Sequence, residues 1–212
     1  MIQLLPANSL SRVLLLMVLP MLAAATTPLH AQSDWESKKN KDGIQVWVRE
    51  IADLPLKESK ATVIFVGNVD KVMATIFDYT SYGDWAPRFI EAREVSRPTE
   101  NVIISYSLND SPWPVTDRDM VMRNTIERRE NGSVYIGMEA VKGEVPLHKT
   151  AVRMEMYKGY YLLEPKPGNQ VAVTYQAVMD PAGSIPAWMA NMAVVDTPYD
   201  LLYNLRRQVA GQ

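Results

Sequence analysis

The chain has 212 residues, a length that fits one domain with a substantial core. Its 22 basic and 24 acidic residues leave a formal net charge of −2, so the basic stripe that nucleic-acid binding draws on is missing and nucleic acid is not an expected partner. The absence of cysteine excludes disulfides, thiolate metal sites, a cysteine nucleophile and a lipidated N-terminal cysteine.

Residues 1–31 read as a cleaved signal peptide. Arg12 precedes the apolar run VLLLMVLPMLAAA, Val13 to Ala25, and no acidic residue occurs before Asp34. The run is shorter than the roughly 20 residues that span a bilayer, and Pro20 interrupts it, so a removed leader is expected rather than a permanent anchor. Cleavage after Ala31 puts Leu29 at the third position before the cut; cleavage after Ala25, with Ala23 there, is the alternative. The expected product is residues 32–212, periplasmic or secreted.

Ser33 to Gly43 reads as a short polar helix capped by Ser33 or Asp34 and stopped by Asp42-Gly43. Ile44, Val46 and Val48 then alternate with polar neighbours, as do Ala61, Val63 and Phe65, which predicts two half-buried antiparallel strands. Asn68 caps a helix carrying Val69, Val72, Met73 and Ile76 on one face, and SYGDWAPRF is predicted as a loop. Further strands are predicted at 92–95, 102–108, 120–126, 134–141, 152–157, 160–163 and 171–179, with turns at Asn131-Gly132 and Pro167-Gly168-Asn169. The total is about nine strands. Asp180-Pro181-Ala182-Gly183 then turns the chain into a long helix over 186–208, with Ser184 as cap and Pro186 in the first turn, where amides lack intrahelical partners. Pro198 inside that helix is expected to kink it, at about 3 kcal/mol if nothing compensates.

One long helix against one large sheet either packs a filled core or encloses a space. Nine of the 12 methionines follow residue 31, and eight of those lie between Met120 and Met192. Pairs at spacing two share a strand face, which puts Met120 with Met122 and Met154 with Met156. Flexible, polarizable side chains suit a lining for ligands of variable shape, and they equally serve as core filler; both readings stay open.

WPVTDRDMVMRN, TAVRMEMYKGYYLLEP, QVAVTYQAVMDPAGSIPAWMAN and TPYDLLYNLRRQ together resemble a START domain, the lipid-transfer module related to steroidogenic acute regulatory protein. The resemblance runs from Trp35 to Gln208. It implies an α+β helix-grip fold, in which a curved antiparallel sheet wraps a C-terminal helix around a tunnel for one lipid. Strand parity then gives a lining of Met120, Met122, Met154, Met156 and Val173, closed by Tyr175, Met189 and Met192. Sterol-binding members pair an acid with an arginine six residues after the arginine of the Arg-Asp motif. Here that position is Asn124, and VIISYSLN offers no acid, so a sterol is not supported by this criterion; Asn124, Ser105 and Tyr106 are the expected partners of a polar headgroup.

Loss of the leader removes His30 and leaves His148 alone in a loop, so clusters of His and Cys for a metal are excluded. His148 with Glu144 or Glu139 is the one candidate general base, and a surface role is the simpler reading. Asp117-Arg118-Asp119 and Arg153 read as structural ion pairs at a strand entry. Trp113, between two prolines, either rests in a membrane interface or packs against the terminal helix. Arg206 and Arg207 either touch anionic lipid or complement the helix dipole. The leading expectation is binding and transfer of a lipid or other hydrophobic small molecule, with transient membrane contact and neither enzyme activity, cofactor nor metal. A helix-grip enzyme of aromatase or cyclase type and a ligand-free interaction module are the alternatives.

Overall fold

The computed structural model describes residues 34–52 and 54–211, apart from the side chains of Ala187, Trp188, Asn191 and Met192. The expected leader, 1–31, and the expected Ser33 cap lie outside the described residues.

Strands β1 (Glu36–Lys41), β2 (Ile44–Glu50) and β3 (Lys57–Val66) lead into helix α1 (Val69–Phe77), a 3-10 turn at Tyr79–Ser81 and the one-turn α2 (Tyr82–Trp85). Then follow β4 (Phe89–Thr99), β5 (Val102–Asn109), β6 (Arg118–Arg128), β7 (Val134–Ala140), β8 (Val152–Arg153), β9 (Met156–Lys166) and β10 (Gln170–Asp180), before the long α3 (Ala187–Ala210). One sheet holds them all in the order β1-β2-β3-β10-β9-β7-β6-β5-β4, and β8 lies parallel to the start of β6. Pairing of β3 with β10 joins the first hairpin to the last.

Alternation makes one face of this sheet apolar. Ile44, Val46 and Val48 on β2, Ala61, Val63 and Phe65 on β3, and Val171, Val173, Tyr175 and Ala177 on β10 are all buried. Tyr199, Leu202, Leu205 and Val209 of α3 belong to the same cluster. Fully burying such side chains stabilises by roughly 1.5–3 kcal/mol each, so the C-terminal half of α3 is held firmly. Helix α1 covers the same face with Val69, Val72, Met73 and Ile76, and its Asn68 cap accepts from the Lys71 amide at 2.9 Å. The opposite face is buried locally, where Ile104, Tyr106, Leu108 and Val121 pack under Val141, Val145 and Ala151.

Several elements depart from the sequence expectation. Residues 36–41 form a strand instead of a polar helix, because Asp42 and Gly43 both adopt positive φ (53° and 73°) and fold β1 back onto β2 as a hairpin. Its charged, exposed residues suit a sheet edge. The predicted loop after α1 contains the 3-10 turn and α2, which bury Trp85. The strands expected at 152–157 and 160–163 are instead a two-residue β8 and one continuous β9. The parity argument for Met154 and Met156 fails there: Met154 lies outside any strand and joins the core, whereas Met156 sits next to inward-facing Tyr157 on the other face. Ser184 does not cap α3; Pro186 occupies the cap position without a side-chain bond, and the helix ends at Gly211 with φ 77°.

Gly159 on β9 faces Ala177 on β10, and a Cβ placed there would stand 2.5 Å from the Gln176 carbonyl oxygen. Backbone cannot yield as a flexible side chain does. Gly159→Ala is therefore expected to destabilise by about 1–3 kcal/mol or more, read as a lowered urea midpoint; an unchanged midpoint would show that β9 and β10 can separate at this point.

Candidate functional site

Between sheet and helices the apolar face carries a set of hydroxyl and amide groups. Cross-strand register puts Tyr175 opposite Tyr161, Ala177 opposite Gly159, and Met179 opposite Tyr157. Farther across, Met138 faces Asn124, and Met122 faces Ser105. The Tyr157 and Tyr175 hydroxyls meet at 2.7 Å, and the Tyr161 ring packs on Tyr175 with centroids 5.1 Å apart. Asn124 Nδ2 donates to Ser105 Oγ at 3.0 Å and to the Ile103 carbonyl at 3.2 Å. Tyr82 donates to the Ile76 carbonyl.

Burial decides the charge state of this interior. It pushes the Tyr79 and Tyr175 hydroxyls up to about 12 and raises Tyr82, Tyr157 and Tyr161 well above the ordinary tyrosine value. Among the described residues the buried charged side chains are Arg118 and Asp119, and neither lies in the middle of this face. Asp119 points outward, paired bidentately with Arg153 at 2.9 and 2.7 Å. Arg118, at the strand entry, donates to the carbonyls of Thr116, Pro181 and Ala182 and so ties β6 to the turn before α3. The middle of the face is neutral and polar at a few points.

A cavity of about 140 Å³ lies between the start of β3, the end of β10 and the first turns of α3, lined by Leu56, Ser59, Ala177, Met179, Ala190, Ala193 and Val194 among others. Another, of about 360 Å³, lies at the opposite ends of the strands, where Met73, Phe77, Ile103 and Ile126 meet Arg97 and Arg128.

The expected lining is partly assembled. Met120, Met122, Asn124, Ser105, Val173 and Tyr175 share the apolar face, Met154 joins its cluster and Met189 is buried in the first turn of α3. The side chain of Met192 lies outside the described residues. Tyr106 is misplaced by the sequence reading: next to Ser105 in a strand, it necessarily points to the other face, where Arg93 lies over its ring. Met156 is likewise excluded from the face. None of these residues borders either of the two cavities just described. Sequence reasoning missed Tyr157 and Tyr161 because it broke β9 between them; their spacing of four around Gly159, with Lys158 exposed, was the available signal. Trp113 is 90% exposed, which overturns the reading that packs it against the terminal helix. His148 Nδ1 accepts from the Thr150 amide at 3.3 Å and has no carboxylate partner among the described residues.

An antiparallel sheet folded around a long terminal helix, with a mostly apolar enclosed face, defines a helix-grip protein. The START domain profile matches residues 21–202, and the chain belongs to that family. It is 35% identical to a STAR-related lipid transfer protein from Xanthomonas axonopodis, whose structure superposes with a TM-score of 0.77 over 83% of this chain and 98% of that one. An uncharacterized protein of Pseudomonas aeruginosa is 31% identical over 82% of this chain and 85% of its own length. Mouse START domain-containing protein 10 is 27% identical over 76% of this chain, which spans 56% of that longer protein.

Raised tyrosine values make a pH prediction. The folded state keeps these protons where the unfolded chain has lost them, so stability is full below pH 10, the ordinary tyrosine value, and falls as pH rises towards 12. Tyrosinate absorbance of the buried rings should appear together with unfolding in an alkaline titration. Ionisation in the still-folded protein would show that the interior admits water.

Proposed function

We propose that the chain is an exported carrier that binds one hydrophobic ligand, a lipid, beneath α3 and passes it on through transient membrane contact. The cavity under the first turns of α3 carries this reading. The C-terminal half of that helix is buried by Leu202, Leu205 and Val209, whereas its N-terminal half presents Ala190, Ala193 and Val194 to open space. Pro198 stands between the halves. It has no amide to offer the Val194 carbonyl, so the helix is weakest beside the cavity. A lipid passing from a bilayer to an apolar interior exchanges one apolar surrounding for another, so uptake needs no chemical step.

Some of the exposed apolar side chains stand at the same end, while Ile64 and Val66 lie towards the other end of β3. Trp113, Leu147 and Leu54 are 90%, 73% and 50% exposed and come from the β5–β6, β7–β8 and β2–β3 connections, all at the end where the cavity lies. Such residues suit a membrane interface. The leader pattern of residues 1–31 supports export, with a mature start near Gln32, into the periplasm or the medium.

Protein recovered from the exported fraction is expected to begin near Gln32 on N-terminal sequencing and to carry extractable lipid in native mass spectrometry. An intact Met1 in soluble cytoplasmic protein would remove the export reading. Ala193→Phe fills the cavity and is expected to abolish lipid uptake while leaving the melting temperature unchanged or higher. Uptake equal to the parent's would place the ligand elsewhere.

Trp113→Ala is expected to slow lipid transfer between vesicles several-fold with thermal stability unchanged, because the ring contacts little of its own protein. Transfer at the parental rate would leave the tryptophan without a membrane role.

A further inference from the structure

An antiparallel sheet with one buried face ordinarily turns polar and charged side chains to water on the other. Here the outward residues of β10, alternating from Gln170 to Val178, carry no charge at all. Their cross-strand neighbours on β3 include Ile64 and Val66, 48% and 69% exposed, and Leu162 opposite Thr174 continues the apolar surface onto β9. The two edges of the sheet are guarded against strand addition: β1 is charged and largely exposed, and three register shifts interrupt β4. The outer face of β3, β10 and β9 has no such guard. Contiguous exposed apolar surface of this kind marks a place of association.

We infer that this outer face binds a second copy of the chain, in a two-fold dimer centred on Thr174. The charges around Thr174 select the occupant. Thr174 pairs with Thr62 on β3 and with Leu162 on β9, and those two strands run in the same direction. Lys60 lies two residues before Thr62, and Glu164 two residues after Leu162, so a cation and an anion stand diagonally on opposite sides of the centre. A two-fold axis lying between the two faces, over Thr174 and at right angles to that diagonal, sets Lys60 of each copy against Glu164 of the other. An isologous contact requires this self-complementarity. Neither charge is satisfied at home: the Lys60 ammonium rests over the rings of Trp35 and Trp47 at 4.4 and 4.9 Å with no carboxylate in reach among the described residues, and Glu164 meets Lys166 at 3.9 Å. Opposite charges facing across the contact fix its register and disfavour other partners. Helix α3 packs on the other face of the sheet, so each copy keeps its helix and the cavity beneath it free. The inference does not depend on the carrier reading.

The test is sedimentation velocity of the purified protein over a hundredfold range of concentration in the micromolar region, with melting temperatures measured on the same preparations. The parent is expected to pass from monomer to dimer across that range. Val66→Lys puts a charge on the exposed apolar surface without touching the core, and should raise the dimer dissociation constant at least tenfold with the melting temperature unchanged. Glu164→Lys and Lys60→Glu, each alone, set like charges against one another and should weaken the dimer tenfold or more. The double variant Lys60→Glu, Glu164→Lys restores the opposition of charge and should recover the parental constant to within about threefold. Recovery of that kind is open only to a contact between copies. A parent that stays monomeric throughout overturns the inference and leaves the face to a different protein. A dimer indifferent to Val66→Lys places the contact elsewhere, and a folded double variant that fails to recover overturns the two-fold arrangement about Thr174.

Discussion

Everything in this molecule depends on burying one face of a ten-stranded sheet against one helix. The sheet is too wide for α3 to cover alone: α3 packs on β2 and β3 at one side, and α1, the 3-10 turn and α2 cover the face elsewhere. Leu202, Leu205 and Val209 fix α3 at its C-terminal half, opposite Ile44, Val46 and Phe65. Tyr199 bonds to Asp42 in the β1–β2 turn, and Arg206 donates to the Asp42 carbonyl at 2.7 Å, so the helix is also tied to the first hairpin. With one half anchored, the other half is left over small residues, and the cavity follows from that asymmetry.

Charge is kept at the margins by the same economy of burial. Asp119 is fully buried, yet it stands on the outer face with both oxygens bonded to Arg153, and Arg153 also donates to the carbonyls of Val145 and Pro146. Removing one partner of such a pair typically costs about 3–5 kcal/mol, because the other is left uncompensated. The pair therefore fastens the 145–153 segment over Tyr106 and Val121, while Arg118 fastens the turn into α3. Both arrangements put ionic groups to structural use and leave the enclosed face to neutral side chains.

Alternation of apolar residues along β2, β3, β7 and β10 made those strands legible, and Asn68 with its helical spacing marked α1. Where alternation was weak, reading by pattern failed. Residues 36–41 carry no apolar signal because they form an exposed edge, and the chain between Val152 and Met156 looks like a strand although Met154 and Glu155 are unpaired in the sheet. Tyr106 shows the finer limit: its residue type suits a headgroup, but its position beside Ser105 turns it to the other face.

By itself, then, the sequence determined the α+β class, most strands, the long terminal helix with its internal proline and the family resemblance, because local periodicity, turn residues and capping act over a few positions. Tertiary structure alone decided which tyrosines meet. Tyr157 and Tyr175 are 18 residues apart in the chain, and their hydroxyls touch because β9 and β10 pair in one register and Gly159 lets the backbones close. The cavity was equally out of reach, since it arises where Ala177 on a strand and Ala193 on a helix face one another across the fold. Contacts of that kind depend on long-range register, and no short window of sequence contains it.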